Sequence, residues 1–504
     1  MDTMSRKSDP SATFGGVRYF AAENPIFLTD SYKLSHWKQM RPGTQRISEY
    51  LEARSAKIYS FSRFFGLQSI IKRHLLTPIT HAHVDQAAAD FARHVRPDSF
   101  NEKGWRRIVD VHGGRLPVEI RAVPEGLDIP VHNVLMQVVN TDPDAYWLPT
   151  YLESVLQQVW APTTVETKSG SVRFARAAAF EQSAENPDAK QDFSLHDFAF
   201  RGLPSVETAR ILGLAHLLVY FGTDTVVALR EAEEFYNATD VCGFSIEAGE
   251  HSEILSWGRD GEEAYFRNLF LGRPQDGIAP GLAPGTIVAA PIDTYDMRNC
   301  LERIVCGSLR DVIRDSGGTY VARPDSGDPR EVVPYVLRTL ADAFGAERNA
   351  RGYLVLHPSV RSIFGDSLDQ TKIDATDKAV LDAGFSVENV AYGMGAGLSQ
   401  KINRDDLGFA VKASAFENED GWFGNRKSIV GDPAKASKAG RLALVENGEG
   451  WSDYGTGRYQ TVEVENLHGR ADLLRPVYRD GELLVDDDFA TIRARARANE
   501  QPAL

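Results

Sequence analysis

Thr319-Tyr-Val-Ala-Arg-Pro-Asp-Ser-Gly-Asp-Pro329 is a short β-branched and aromatic run that stops abruptly on Arg323, Asp325, Ser326 and Gly327. Gly317 and Gly318 release it, and its composition predicts a buried strand. An arginine fork, a carboxylate, a hydroxyl and a glycine at one strand end suit a phosphorylated ligand with a bound cation. The guanidinium can grip phosphate oxygens in two places. The carboxylate can orient a hydroxyl or a metal-bound water, and the glycine lets backbone N–H groups approach. Standing alone, the same letters also describe a type I turn with a surface salt bridge.

They do not stand alone. From about Leu195 the same texture recurs in Leu195-His-Asp-Phe-Ala-Phe-Arg201-Gly, Leu217-Leu-Val-Tyr-Phe-Gly-Thr-Asp224-Thr and Gly285-Thr-Ile-Val-Ala-Ala-Pro-Ile-Asp293-Thr-Tyr-Asp296. It returns in Arg361-Ser-Ile-Phe-Gly-Asp366 and Val387-Glu-Asn-Val-Ala-Tyr-Gly393-Met-Gly-Ala-Gly397. Each reads as a strand ending on Asp, Arg or Gly before a helical segment. Most ends are about 30–40 residues apart, the length of one strand–helix unit in a βα-barrel, whose catalytic groups sit at the C-terminal ends of strands. The pattern predicts an α/β barrel, with a doubly wound sheet as the alternative of similar rhythm. The last strand feeds a glycine loop followed by Gln400, Lys401 and Arg404, which makes a seat for an anion. Neither a Walker A loop nor a dinucleotide-binding fingerprint is present.

Outside this series the texture differs. Arg46–Arg54, 116–126 and 131–139 read as strands, while 65–76, 81–95 and 147–160 read as helices. Asp30 reads as a helix cap, with Tyr32 and Lys33 in the first turn. Beyond residue 400, short segments at 407–416, 441–446, 461–464 and 474–478 suit an antiparallel sheet, and 488–497 is a basic amphipathic helix. Residues 1–24 read as a loose arm without the apolar core of a signal peptide.

Composition bounds the function. A chain of 504 residues exceeds one simple core, so two domains are expected. The net charge of −14 argues against nucleic acid or an anionic membrane as partner, while leaving room for a local anion pocket. Three cysteines (Cys242, Cys300, Cys306) without paired spacing predict a reducing, cytoplasmic compartment and no structural zinc. No stretch matches a membrane span.

Thr29-Asp-Ser-Tyr-Lys33, Asn101-Glu-Lys-Gly-Trp105, Leu195-His-Asp-Phe198, Gly222-Thr-Asp-Thr225, Glu250-His-Ser252, Arg323-Pro-Asp-Ser-Gly327 and Ser437-Lys-Ala-Gly-Arg441 together resemble the nicotinamide phosphoribosyltransferase family, among the type II phosphoribosyltransferases. The likeness runs in one order from about Asn24 to Asn499. It implies an irregular βα-barrel (residues 186–400) and a β-rich α+β domain built from residues 25–185 and 401–504. It further implies a homodimer with active sites at the subunit interface, and transfer of phosphoribosyl from phosphoribosyl pyrophosphate to nicotinamide, with Mg²⁺. By this resemblance Phe198 stacks on the pyridine ring, with Tyr32 of a second copy on the other face and Asp30 beside it. Arg323 borders the base and Asp325 the ribose, while Asp293 and Arg201 surround base and phosphate. Gly365, Asp366, Gly395 and Ala396 line the ribose-phosphate, with Arg404 nearby. Arg54, Lys427 and Lys435 hold the pyrophosphate end. His251 is the phosphorylatable histidine through which ATP drives the reaction. The residues holding Mg²⁺ are not assigned.

Asp224 selects the substrate in this reading: a carboxylate accepts from an amide NH₂ and repels the carboxylate of nicotinate. A nicotinate enzyme would place a cation there, and a silent binding protein on the same scaffold would lose His251, Asp293, Arg323 or Asp325. Two positions depart from the family pattern, Met394 and Ala396, where smaller residues are expected. The Gly/Pro-rich insert at 274–284 is expected to be a surface loop.

Overall fold

The computed structural model describes residues 24–428, 436–447 and 458–498, together with the backbone of two short paired strands, Thr13–Phe14 and Val17–Arg18. Most of the N-terminal arm therefore lies outside the described residues, as does Lys435.

Seven strands form one parallel sheet. Their spatial order is Glu247–Ala248, Ile287–Pro291, Thr319–Arg323, Val360–Phe364, Val390–Met394, Leu195–Asp197 and Gly222–Thr223. The two ends of that order meet, because Phe244 bridges Gly222 in parallel just before Glu247 pairs with Val288. The sheet thus curls into an irregular βα-barrel, and every strand runs the same way. All the strand ends singled out in the sequence open on one rim.

One expected strand is mostly turn. In Leu217–Thr225 only Gly222–Thr223 is extended. Much of the apolar run before it belongs to the helix Val206–His216, capped by Ser205, whose hydroxyl accepts the Thr208 N–H at 3.1 Å. Ala209, Leu212, Ala215 and His216 are buried at helical spacing, so a two-sided apolar run here means a helix packed on both sides. Glu247–Ala248 is a strand that the sequence did not announce.

A second seven-stranded sheet is antiparallel. Its order is Gly421–Gly424, Ala410–Asn418, Arg46–Glu52, Val134–Asn140, Val118–Ala122, Arg475–Arg479 and Glu482–Leu483. Strands from early in the chain fill the centre, and strands from the end of the chain flank them on both sides. Each sheet has its own apolar core.

The helix expected at 147–160 is Leu148–Leu156, and after one tight turn it continues as Trp160–Ser183. This longer helix ties the two halves together. Near its start Thr167 Oγ1 accepts the Arg63 N–H at 2.9 Å, and Arg63 bonds Glu166 at 3.2 Å and Asp128 at 2.9 Å. Further along, buried Arg176 meets Asp377 at 2.8 Å beneath Tyr392 of the barrel. Gly170 is required where the Arg63 guanidinium crosses, since a Cβ there would lie 2.7 Å from Nη1. Removing one partner of such a buried pair costs about 3–5 kcal/mol.

Candidate active site

Strand alternation selects the residues that face the barrel axis. Ala289, Val321 and Ile363 form a small cluster with Ile246, Ala391 and Phe198. Their immediate neighbours Val288, Ala290, Tyr320, Ala322 and Tyr392 belong to the large outer core. Side chains two apart share a face. Stepping outward from Val321, Ile363 and Ala391 therefore brings Arg323, Gly365 and Gly393 to the rim. The chain then delivers Asp293 and Asp325 just beyond the strand ends.

Asp293 is the centre of the charged rim. Its Oδ2 accepts the Asp325 N–H at 3.2 Å and the Ser326 hydroxyl at 2.5 Å. Its Oδ1 is buried without a hydrogen-bond partner, and so is Arg323 Nε. His251 opens the helix His251–Trp257 and points Nε2 at both carboxylates, 3.8 Å from Asp293 Oδ1 and 3.8 Å from Asp325 Oδ2. These are charge contacts rather than hydrogen bonds. The other ring nitrogen, Nδ1, sits 2.9 Å from the Thr294 hydroxyl, which fixes the imidazole in its plane. Glu250, beside His251, has its carboxyl held below the ordinary range by the Ser252 hydroxyl first, then by Arg201, Arg323 and His251. Arg201 itself is exposed on the turn Phe200–Gly202.

Phe198 lies across a floor of glycine. Its N–H donates to Met394 O at 3.1 Å, while its ring passes over Gly393 and beside Gly365. A Cβ at Gly365 would stand 3.3 Å from the ring and 3.3 Å from Asp325 Oδ1. Along the rim, exposed Asp224 is anchored by its N–H to Asp197 O at 3.0 Å, and the Ser245 hydroxyl donates to Asp224 Oδ1 at 2.5 Å. Gly395 and Ala396 begin the loop after Val390–Met394, with the Ala396 carbonyl accepting the Lys401 N–H at 2.9 Å. Asp366 is exposed and takes a hydrogen bond from Ser367 Oγ at 2.9 Å.

The remaining expected residues lie elsewhere. Asp30 occupies the cap position of the helix Ser31–Lys38, but its carboxylate takes the Ser154 hydroxyl instead of capping. Asp30, exposed Tyr32 and Arg404 line one cleft with Glu153, Gln158 and Trp160. Arg54 ends an antiparallel strand, and Lys427 is exposed nearby; both bear electrostatically on half-buried Lys412. Behind them Lys33 pairs with Glu153, and buried Glu49 stands beside both. Glu49 Oε2 has no hydrogen-bond partner, and its carboxyl is pushed up to about 8 by burial first and by Glu153 second, with Lys33 and Lys412 opposing. Among the described residues no hydrogen bond or ion pair links this second set to the barrel rim.

Ser245, Thr294, Glu250 as a rim charge, and Lys412 were not singled out in the sequence. A serine beside a strand and a lysine within one carry no pattern of their own. Spacing from the series gives a partial signal for Thr294 and Glu250, which adjoin Asp293 and His251. The insert at 274–284 is largely exposed, with a single tight turn at Pro274–Asp276.

A parallel βα-barrel whose rim gathers arginines, carboxylates, a histidine and glycines is an enzyme fold whose strand ends suit a phosphate-bearing ligand. Residues 193–482 match the nicotinate phosphoribosyltransferase (NAPRTase) family, and residues 24–120 match the nicotinamide phosphoribosyltransferase N-terminal domain. The chain belongs to the nicotinate phosphoribosyltransferase family. It is 42% identical over 480 residues to a nicotinamide phosphoribosyltransferase of Xanthomonas campestris pv. campestris, covering 94% of this chain and 98% of the relative. It is 27% identical to one of Acinetobacter baylyi, covering 94% and 97%. Among solved structures it resembles human nicotinic acid phosphoribosyltransferase with a TM-score of 0.56 at 16% identity, covering 94% and 93%. It also resembles nicotinate-nucleotide pyrophosphorylase of Pyrococcus furiosus, with a TM-score of 0.57 at 15% identity, covering 96% and 97%. These structural likenesses speak to the fold.

Proposed function

We propose that this enzyme transfers the 5-phosphoribosyl group of phosphoribosyl pyrophosphate to the ring nitrogen of nicotinamide, giving nicotinamide mononucleotide and pyrophosphate. The observation that carries the choice of base is Asp224, an exposed rim carboxylate oriented by Ser245. One oxygen is engaged by the serine, and the other has no hydrogen-bond partner among the described residues and can accept from an amide NH₂. A carboxylate at the same place on the ring would meet like charge.

The chemistry asks little of a base. The pyridine nitrogen is already nucleophilic, so the work lies in positioning and in stabilising an oxocarbenium-like ribose and a departing pyrophosphate. Phe198 stacks on the ring from its glycine floor, Arg323 and Arg201 hold anionic oxygens, and Asp325 orients the ribose. The glycine loop with Asp366 seats the 5-phosphate. Mg²⁺ would be shared with the ligand, because this cation commonly binds one or two carboxylates together with substrate phosphates. Asp293 Oδ1, which makes no hydrogen bond, and neighbouring Asp325 fit such a shared ion, and no cluster of three protein ligands is found among the described residues. When bound, it would neutralise charge on the leaving pyrophosphate.

Among the described residues, Tyr32, Asp30, Arg54 and Lys427 have no hydrogen-bond or ion-pair partner at the rim of their own chain. We therefore assign them, with Lys412, to the rim of a second copy, so that a homodimer completes two sites; Lys435, outside the described residues, joins them by the family resemblance alone. ATP would act through His251, whose orientation by Thr294 and nearby carboxylates suits a phosphoryl acceptor. No described helix is long and apolar enough to cross a membrane, and the proposed location is the cytoplasm.

The test is product formation with Mg²⁺ and phosphoribosyl pyrophosphate, offering nicotinamide and nicotinate separately, each with and without ATP. Mononucleotide from nicotinamide alone, increased by ATP, is the expected result. Product from nicotinate alone would overturn the role of Asp224.

A further inference from the structure

Lys168 lies on the helix Trp160–Ser183 and donates from Nζ to the carbonyl of Gly397 at 2.9 Å. That is its one hydrogen bond among the described residues, and none of their carboxylates stands at ion-pair distance. Lys168 is half-buried, whereas the more deeply buried cations are matched, Lys33 by Glu153, Arg63 by Asp128 and Arg176 by Asp377; half-buried Lys412 bonds only the adjoining Val411 carbonyl. Arg361 and Arg493, which have no carboxylate either, each reach two or more carbonyl groups. Lys168 has three N–H donors and uses one. Burial draws its pKa below the ordinary lysine value, with Asp406 and Asp369 opposing from a distance and Lys401 adding repulsion. A partly desolvated ammonium without an anion is disfavoured, and an arriving anion would improve its surroundings.

The place where it sits names the anion. Gly397 belongs to the short helical turn Ala396–Gln400 that follows the strand Val390–Met394 and Gly395, and the Leu368 carbonyl lies close enough to exclude a Cβ there. The loop is held between that carbonyl and the lysine. Backbone N–H groups of such a loop take a phosphate.

We propose that Lys168 is a positioning residue for the 5-phosphate seat, clamping the Gly395–Gly397 loop from behind and charging it for a phosphate monoester. The assignment rests on the phosphoribosyl reading above. It also bears on the Ala396 departure: a loop with one glycine fewer offers less bare backbone, so the charge behind it counts for more.

The experiment uses the full-length enzyme with Lys168→Met and Lys168→Arg, and Lys168→Gln as a second neutral variant should the first fail to fold. The measurements are KM for phosphoribosyl pyrophosphate, KM for nicotinamide, kcat, inhibition by ribose 5-phosphate, and melting temperature. A neutral variant should raise KM for phosphoribosyl pyrophosphate and weaken ribose 5-phosphate inhibition by about tenfold each, the scale of one charge-assisted contact. KM for nicotinamide should hold, the melting temperature should hold or rise, and arginine should recover part of the loss. A folded neutral variant with unchanged affinity for both phosphates overturns the proposal. So does a variant that melts earlier while both substrates weaken together, the mark of a structural role. If the wild-type enzyme itself neither uses phosphoribosyl pyrophosphate nor binds ribose 5-phosphate, the functional reading fails, and this inference with it.

Discussion

Gly393→Ala is the sharpest probe of the rim because it adds one methyl under one ring. Gly393 lies in a regular strand and has no positive φ, so alanine meets no backbone penalty there. The new Cβ would fall 2.7 Å from Phe198 Cζ and closer still to Cδ2 and Cε2. Carbon atoms settle at about 3.5–4.0 Å, so the ring must retreat by roughly 1 Å or more. A displacement of about 1 Å at a reacting centre costs about 100-fold, equivalent to about 2.7 kcal/mol of activation free energy. The Phe198 ring is only partly buried and can move without rebuilding the core. The expected outcome is therefore a fall of about 100-fold in kcat/KM for nicotinamide, with KM for phosphoribosyl pyrophosphate and the far-ultraviolet spectrum near wild type. Steady-state kinetics on the single variant, on Phe198→Ala and on the double variant complete the measurement. If the ring carries the whole effect, adding Gly393→Ala to Phe198→Ala costs nothing further. A folded Gly393→Ala enzyme within about threefold of wild type would refute the reasoning.

Asp224→Asn should narrow the preference for nicotinamide over nicotinate by about tenfold or more, read as the ratio of the two kcat/KM values; an unchanged ratio sinks the specificity argument. Glu49→Gln should alter the pH dependence of stability. A carboxyl raised from 4.5 to about 8 binds more protons folded than unfolded, so its contribution to stability falls as pH rises through that window. The limiting slope is about 1.4 kcal/mol per pH unit, and urea midpoints from pH 5 to 9 should be flatter for the variant than for wild type. His251→Ala should abolish stimulation by ATP while leaving slow, ATP-independent product formation. Equal stimulation in wild type and variant would remove the histidine from the coupling step.

Much of the barrel was legible because its strands carry two signals at once, a buried apolar run and a chemical stop at the end. Thr319–Arg323 and Val390–Met394 fall within the stretches so read, and Val360–Phe364 overlaps the one at Arg361–Asp366. Where only one signal existed the reading failed. Leu217–Thr225 is apolar because it begins with the buried turn that leaves the helix Val206–His216, and Glu247–Ala248 is too short and too exposed to announce a strand. The rim residues at strand ends were visible for the same reason as the strands. Lys168 and Lys412 were not, because a lysine within a helix or strand reads as a solvated charge until tertiary packing desolvates it. Asp30 shows the converse: its cap position was legible, but its bond to Ser154, 124 residues away, was not.

The antiparallel sheet has a consequence for how the chain comes into being. Its three central strands, Arg46–Glu52, Val118–Ala122 and Val134–Asn140, are synthesised first, yet both flanks come from beyond residue 409. On the ribosome this half-sheet must wait, both edges bare, while the entire barrel emerges. At about 5–20 residues per second that interval lasts tens of seconds. An open sheet edge pairs with whatever strand it meets, so the nascent chain passes through a stage at which shielding by chaperones matters more than for a protein folding from one end. Nor can the C-terminus be trimmed freely: a chain cut before Arg475 would carry an unsealed sheet and would also lose the helix Phe489–Ala498, whose Phe489, Ile492 and Ala496 pack into the barrel core.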